Sequence, residues 1–184
     1  MNDQIITIME SIRKEFSESY TGTTFDNEEK MNLLAAFDMI EDSQCAIDYY
    51  KSSVFPDGNG SYLFIYGLFQ AFFLQQDAVN AILYILKMPR YQCSNFHLLK
   101  VIRDYRNDVV GHPVNRGQKQ NRRYIRLYRS SIKKESFSYV VIGENTECKH
   151  VNVDKAIFDQ EHFIKHILDS ICEKLRELNS DYRS

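Results

Sequence analysis

Apolar residues at the head of the chain, Ile5, Ile8, Met9, Ile12 and Phe16, recur every three or four positions. That rhythm puts them on one stripe of a helix. "TGTTFD" interrupts it, and Asp26 followed by Glu29 has the form of a capping box, in which each side chain accepts from a free backbone N–H at a helix start. A second helix is predicted from there to about Ser52, with Leu33, Leu34, Phe37, Ile40, Ile47 and Tyr50 on or beside one face. "FPDGNGS" packs Pro, Asp, Gly and Asn together and is the strongest turn signal in the chain. A third helix is predicted from Tyr62 to about Lys87, roughly 39 Å long at the usual helical rise. It is apolar around much of its circumference, so it is expected at the centre of a bundle. Met88-Pro89 ends it, and Ser94 or Asn95 can cap a fourth helix running through Asp108 or a little beyond.

After Gly117 the period changes to two. "RRYIRLYRS", "SFSYVVIG" and "CKHVNV" are rich in Tyr, Ile, Val and Phe with polar turns between them, which predicts a small antiparallel sheet or hairpin within 122–153. A last helix is predicted from Asp154 to about Asn179, carried by Ile157, Phe158, Ile164, Ile167, Leu168, Ile171, Leu175 and Leu178. The fold class is therefore mainly α: an up-and-down bundle of about five helices with a small antiparallel β insertion before the last one. A single domain over 1–184 fits a length of 184 residues.

The apolar run "YLFIYGLFQAFFL", Tyr62 to Leu74, is broken only by Gln70 and stops at "QQD". It falls short of the ~18 residues that suggest a spanning helix, so no membrane association is expected. "MNDQIITIMESIRK" mixes charged and apolar residues and does not read as a signal peptide. Cys45, Cys93, Cys148 and Cys172 are far apart, with no Cys-x-x-Cys spacing, which fits free thiols in a reducing cytoplasm.

The net charge of −2 names no partner, but it hides an asymmetry. The segment from Val109 to Lys134 has eight basic residues and no carboxylate, so it carries +8 and leaves −10 on the rest. A polyanion would feel that local field. On a strand, Arg122, Tyr124, Arg126 and Tyr128 line one face, which combines charge for phosphates with rings on which bases can stack. Arg123, Ile125, Leu127 and Arg129 line the other. Taken by itself, the strand has a plain alternative: a solvated strand whose tyrosines pack on the bundle.

The basic segment begins beside "VIRDYRNDVVGHPVNRG", Val101 to Gly117. Arg103, Arg106 and Asn107 are three or four residues apart and share a helix face. Gly111 can adopt the left-handed conformation that closes a helix, and Pro113 forbids continuation. His112 is then expected just past the helix end, where it can fold back toward Arg106. Arginine offers a permanent charge and a planar fork of donors for phosphate oxygens. Histidine exchanges a proton near neutral pH, and asparagine can orient either one. The bland alternative is a surface arginine paired with Asp104 or a neighbour and a histidine that caps a carbonyl.

"RNDVVGH" resembles the signature of HEPN domains, which pairs an Arg and a polar residue with a His after a short spacer. Arg106, Asn107 and His112 match it, with five residues between Arg and His. The order of long helices before the motif is also similar; the β segment at 122–153 has no counterpart. The resemblance implies an all-helical, metal-independent endoribonuclease of a toxin–antitoxin or defence system. In such a system RNA is cut through 2′-OH attack at a composite site shared by a homodimer. It implies Arg106, Asn107 and His112 as catalytic residues. RNA is the expected partner, contacted by Arg103, Arg116, Arg122, Tyr124, Arg126 and Tyr128. An antitoxin protein is a further expected partner, and the location cytoplasmic. No cofactor or metal is implied. The rival expectation is a non-catalytic HEPN-like binding module.

Other candidates rank lower. Gln75, Gln76 and Asp77 interrupt a helix expected to be buried, and a buried carboxylate wants a partner such as Arg103 or Arg106. His162 and His166 are four apart but lack an obvious third metal ligand, so a solvated helix face is the better reading. His97 and His150 stand alone. "DGNGS" is a turn and no phosphate-cradling loop, and no serine sits in a nucleophile-elbow pattern.

Overall fold

The computed structural model describes residues 2–20, 25–89, 97–111, 114–116 and 123–183. Its elements are α1 (Asn2–Tyr20), α2 (Asn27–Ser52), α3 (Gly60–Ile85), α4 (His97–Arg106) and α5 (Val153–Arg183). Between α4 and α5 lie a π-helical segment (Asn107–Gly111), β1 (Val114–Arg116), β2 (Arg123–Leu127), a 3₁₀ turn (Arg129–Ser131), β3 (Ser136–Ile142) and β4 (Glu147–Asn152). The fold is mainly helical with a small antiparallel sheet before the last helix, as the periodicity predicts.

Local chemistry explains the helix starts and stops. Asp26 accepts from the Glu29 backbone N–H at 2.8 Å, and the Asp26 N–H donates back to the Glu29 carboxylate at 3.1 Å. The capping box is complete and opens α2 at Asn27. The end of α3 is set before Pro89 is reached. Lys87 adopts φ 55°, Met88 N–H bonds Leu83 C=O, and Lys87 N–H bonds Tyr84 C=O. That is a Schellman closure with lysine in the left-handed place usually held by glycine.

The short turn between α2 and α3 makes them an antiparallel pair, while α1 lies chiefly along α5. Leu33, Phe37 and Ile40 of α2, Phe69 and Phe72 of α3, and Ile164 and Leu168 of α5 meet in one core. Phe137 and Tyr139 of β3 join it, the Phe137 ring 5.7 Å from that of Phe69. The sheet order is β1-β2-β3-β4, all antiparallel. Ile125 pairs with Val141 and Leu127 with Tyr139, so those side chains share the face turned to the bundle. Tyr124 and Arg126 take the opposite face, opposite Ile142 and Val140.

Two expectations change. α3 is central but not enclosed: Leu63 is 74% exposed, Tyr84 65%, and the Tyr66 side chain is also exposed. These positions share one stripe of the helix with Gly67, Gln70, Leu74 and Asp77; α4 side chains meet it at Gln70 and Asp77, while Leu63, Tyr66, Gly67 and Tyr84 stay exposed. Asp77 is accordingly exposed, whereas Gln75 and Gln76 beside it are fully buried.

Those two glutamines enter a chain of amides across the core. Gln76 Nε2 donates to Gln160 Oε1 at 2.8 Å, Gln160 Nε2 to Gln75 Oε1 at 2.9 Å, and Gln75 Nε2 to Gln44 Oε1 at 3.1 Å. Gln44 Nε2 then donates to the buried Glu161 carboxylate at 3.0 Å, which Lys51 also meets at 2.7 Å. The chain ties α3, α5 and α2 together, and Gln76 reaches Leu99 C=O of α4 at 3.4 Å. Buried amides are tolerated because each finds a partner.

Candidate functional site

Arg106 is the last residue of α4, and its guanidinium reaches back to α3. Nε and Nη2 donate to Gln70 Oε1 at 3.1 and 3.0 Å, and Nη1 donates to Asn107 Oδ1 at 3.1 Å. The guanidinium carbon lies 4.0 Å from the centre of the Phe73 ring. Of five N–H donors, two have no partner among the described residues.

Arg103, one turn earlier, also lies over Phe73, at 4.1 Å. Its Nη2 meets Asp77 at 2.7 Å. The two arginines therefore differ in kind. The charge of Arg103 is balanced by a carboxylate, which weakens its candidacy for RNA. Arg106 is held by two neutral amides and a ring, and among the described residues no carboxylate pairs with it, so its positive charge is oriented without being cancelled there. Asp104, the alternative partner weighed for Arg106, pairs with Lys100 at 2.5 Å.

The closure at Gly111 is not the expected left-handed turn: among the described residues the one glycine with positive φ is Gly58. The chain instead widens into a π segment over Asn107–Gly111. In a π-helix residues five apart stack, which brings Gly111 over Arg106. A Cβ at Gly111 would lie 2.8 Å from Arg106 Nη1 and 3.7 Å from Asn107 Oδ1. Glycine thus makes room for the guanidinium, which a methyl would push aside, and is not there for its backbone angle. Such widened turns recur at functional sites.

Below the segment, Asp108 is buried and accepts from the Tyr139 hydroxyl at 2.8 Å, with Lys149 Nζ at 3.6 Å. This carboxylate, which sequence reasoning passed over, fixes the widened turn to β3 and β4. Burial pushes the Tyr105 and Tyr66 phenols up, so both stay protonated at neutral pH and neither serves as a base.

His112 and Arg122 lie outside the described residues, as does the side chain of Arg116. Tyr124, Arg126 and Tyr128 are exposed. Val114, two residues beyond His112 in the chain, pairs with Tyr124, so the tyrosine–arginine strand is hydrogen-bonded to the strand that leaves the motif. His162 and His166 are exposed on α5, and His162 stacks on Phe158. Among the described residues no three His, Cys, Asp or Glu side chains cluster as a metal site. Among the described residues no helix is long and apolar enough to cross a membrane.

Gln70 and Phe73 were missed as site residues. The signal existed: Gln70 is the lone polar residue in an apolar run, and Gln70, Phe73 and Asp77 recur at helical spacing. Comparison of the chain with protein-family models, curated proteins and solved structures finds no match.

Proposed function

We propose that this chain is a metal-independent endoribonuclease of the HEPN type, cutting RNA as a cytoplasmic homodimer in a toxin–antitoxin or defence setting. The observation that carries the reading is Arg106. It is a guanidinium locked by Gln70, Asn107 and Phe73, with no carboxylate partner and two N–H donors to spare among the described residues. Those donors suit two oxygens of a phosphodiester. As the 2′-oxygen attacks phosphorus, the bond to the 5′-oxygen breaks, leaving a 2′,3′-cyclic phosphate and a 5′-hydroxyl. Arg106 stabilises the extra negative charge of the pentavalent state, and Asn107 holds the guanidinium. One imidazole removes the 2′-proton and another protonates the leaving oxygen, each worth roughly 10²–10⁴ in rate. A single chain offers one motif histidine, His112, so two copies supply the pair.

The exposed positions along this stripe of α3 support pairing beside the motif. Leu63, Gly67 and Leu74 flank Gln70, and nothing lies within 4 Å of a Cβ built on Gly67. A second helix can therefore approach closely there. The reading is tested by incubating single-stranded RNA with the protein in EDTA. Cleavage with cyclic-phosphate ends is expected, abolished by His112→Ala or Arg106→Ala. Leu63→Glu should convert dimer to monomer in sedimentation and lose activity with it. Intact RNA under all conditions would overturn the proposal.

The same stripe favours a second reading, a non-catalytic module that docks a partner protein such as an antitoxin. It predicts no cleavage, indifference to His112→Ala, and loss of partner binding in Leu63→Glu.

A further inference from the structure

On the outer face of the sheet lies an open groove of about 1120 Å³. Its floor is Val140 and Ile142 of β3, and its walls carry Arg126, Tyr128 and Arg129. Tyr62, from the first turn of α3, closes one side. No carboxylate among the described residues lines it. Tyr124, opposite Ile142, and Tyr128 are 47% and 44% exposed, and Ile142 is 40% exposed, so rings and floor are open to a ligand. Along the strand Tyr124, Arg126 and Tyr128 alternate at about 7 Å. This interleaves flat apolar surfaces with a fixed positive charge.

We infer that this groove is a stacking site for the unpaired bases of single-stranded RNA, with Tyr62 and Tyr128 as its rings and Arg126 on the backbone. The inference rests on the ribonuclease reading and adds the class of substrate: single-stranded, not duplex. In a duplex the base faces are already stacked on each other, and the grooves of A-form RNA present edges and hydroxyls. Rings recessed beside an apolar floor therefore have nothing to stack on unless the bases are free. The groove is also connected to the motif. The Tyr62 ring contacts that of Tyr66 at 6.0 Å. From Tyr62 to Gln70, which grips Arg106, is two turns of α3, about 12 Å. A strand whose bases lie in the groove can thus run along α3 to the guanidinium.

The test uses the His112→Ala protein, so that RNA stays intact, and fluorescence anisotropy with a labelled uridine dodecamer or a labelled RNA duplex of the same length. The single strand is expected to bind at least about tenfold more tightly. Tyr62→Ala and Tyr128→Ala should each weaken single-strand binding about 5- to 100-fold, as loss of one base–ring stack does. Tyr128→Phe, which keeps the ring, should bind like its parent. Arg126→Ala should lower the salt slope by about one. Equal affinity for duplex and single strand, or alanine variants that bind like the parent, overturns the inference. Its failure is separable from that of the ribonuclease reading. Tyrosine-dependent binding with no cleavage by the natural sequence retains the groove and removes the nuclease. Cleavage with a KM indifferent to both tyrosines does the reverse.

Discussion

Replacing Gln70 by glutamate tests whether the charge of Arg106 matters, separately from its position. The substitution keeps the shape of the side chain and keeps an acceptor where Nε and Nη2 of Arg106 now donate, at 3.1 and 3.0 Å. Geometry is conserved, and the guanidinium gains a carboxylate like the one Asp77 gives Arg103. On the far side of the guanidinium, a phosphate would then sit about 8 Å from the new negative charge. At an effective dielectric of about 20, that repulsion is roughly 2 kcal/mol per unit of phosphate charge. A monoanionic phosphodiester would bind about 30-fold more weakly, and a dianionic pentavalent state would be disfavoured by about 10³. Folding responds the other way: a half-buried ion pair replaces a hydrogen bond from the guanidinium to a neutral amide oxygen, worth about 0 to 1 kcal/mol in favour of the fold. Gln70→Glu should therefore reduce kcat/KM for RNA cleavage by about 30- to 1000-fold while Tm holds or rises. Paired single-turnover kinetics and thermal melts decide it. Unchanged cleavage, or loss of activity that tracks loss of stability, refutes the argument that neutral partners are there to preserve the charge.

Gln160→Glu places a carboxyl in the buried amide chain, where only its protonated form can donate to Gln75 Oε1. Its folded pKa must rise above the unfolded value, so stability relative to the natural protein falls as pH climbs above about 4.3, by about 1.4 kcal/mol per unit. Urea titrations near pH 5 and pH 7.5 should diverge by up to about 3 kcal/mol, and parallel curves would sink the point. Lys87→Gly relieves a left-handed lysine at φ 55°; calorimetry should show a gain of about 1 kcal/mol, or roughly 2–4 °C in Tm. Gly111→Ala puts a methyl 2.8 Å from Arg106 Nη1. It should lower cleavage about 10²-fold through a displaced guanidinium, with circular dichroism unchanged. Tyr50 donates its hydroxyl to Lys134 C=O at 2.6 Å, and burial, then the charges of Asp154 and Glu135, pushes its phenol up. Because the folded state holds that proton more tightly, the natural protein should lose stability as pH rises above about 10. Tyr50→Phe should flatten that loss in alkaline melts, after a neutral-pH cost of about 1 kcal/mol.

The helices were legible because their signals are local. The stripe of α1 and the capping box at Asp26 and Glu29 need no knowledge of the rest of the chain. Strands β2 to β4 followed from alternation over five to seven residues or the β-rich run that contains them. β1 did not, since a three-residue strand is too short to show a period and exists by pairing with β2. The place of the α3 stop was legible from Met88-Pro89, but its left-handed closure was hidden, because a lysine stands where that closure ordinarily advertises itself with glycine. The π segment has no sequence signature either. It is bracketed by tertiary anchors on different elements, Arg106 to Gln70 of α3 and Asp108 to Tyr139 of β3, and neither contact is visible from spacing.

For the site, residue type was readable and circumstance was not. Arg103 and Arg106 look equivalent in the sequence: same helix, same face, one turn apart, both cationic. What separates them is the register of α4 on α3, which sets Arg103 against Asp77 and Arg106 against Gln70, seven residues earlier on the same face. The core fixes that register through contacts remote from the motif, including Gln76 on the Leu99 carbonyl. Sliding α4 by about two helical turns, the spacing from Gln70 to Asp77, would set Arg106 against Asp77 and leave the motif arginine neutralised. Whether an arginine's charge is left free of a carboxylate here is therefore a property of helix packing, and the lone glutamine in an apolar run is where that packing is written.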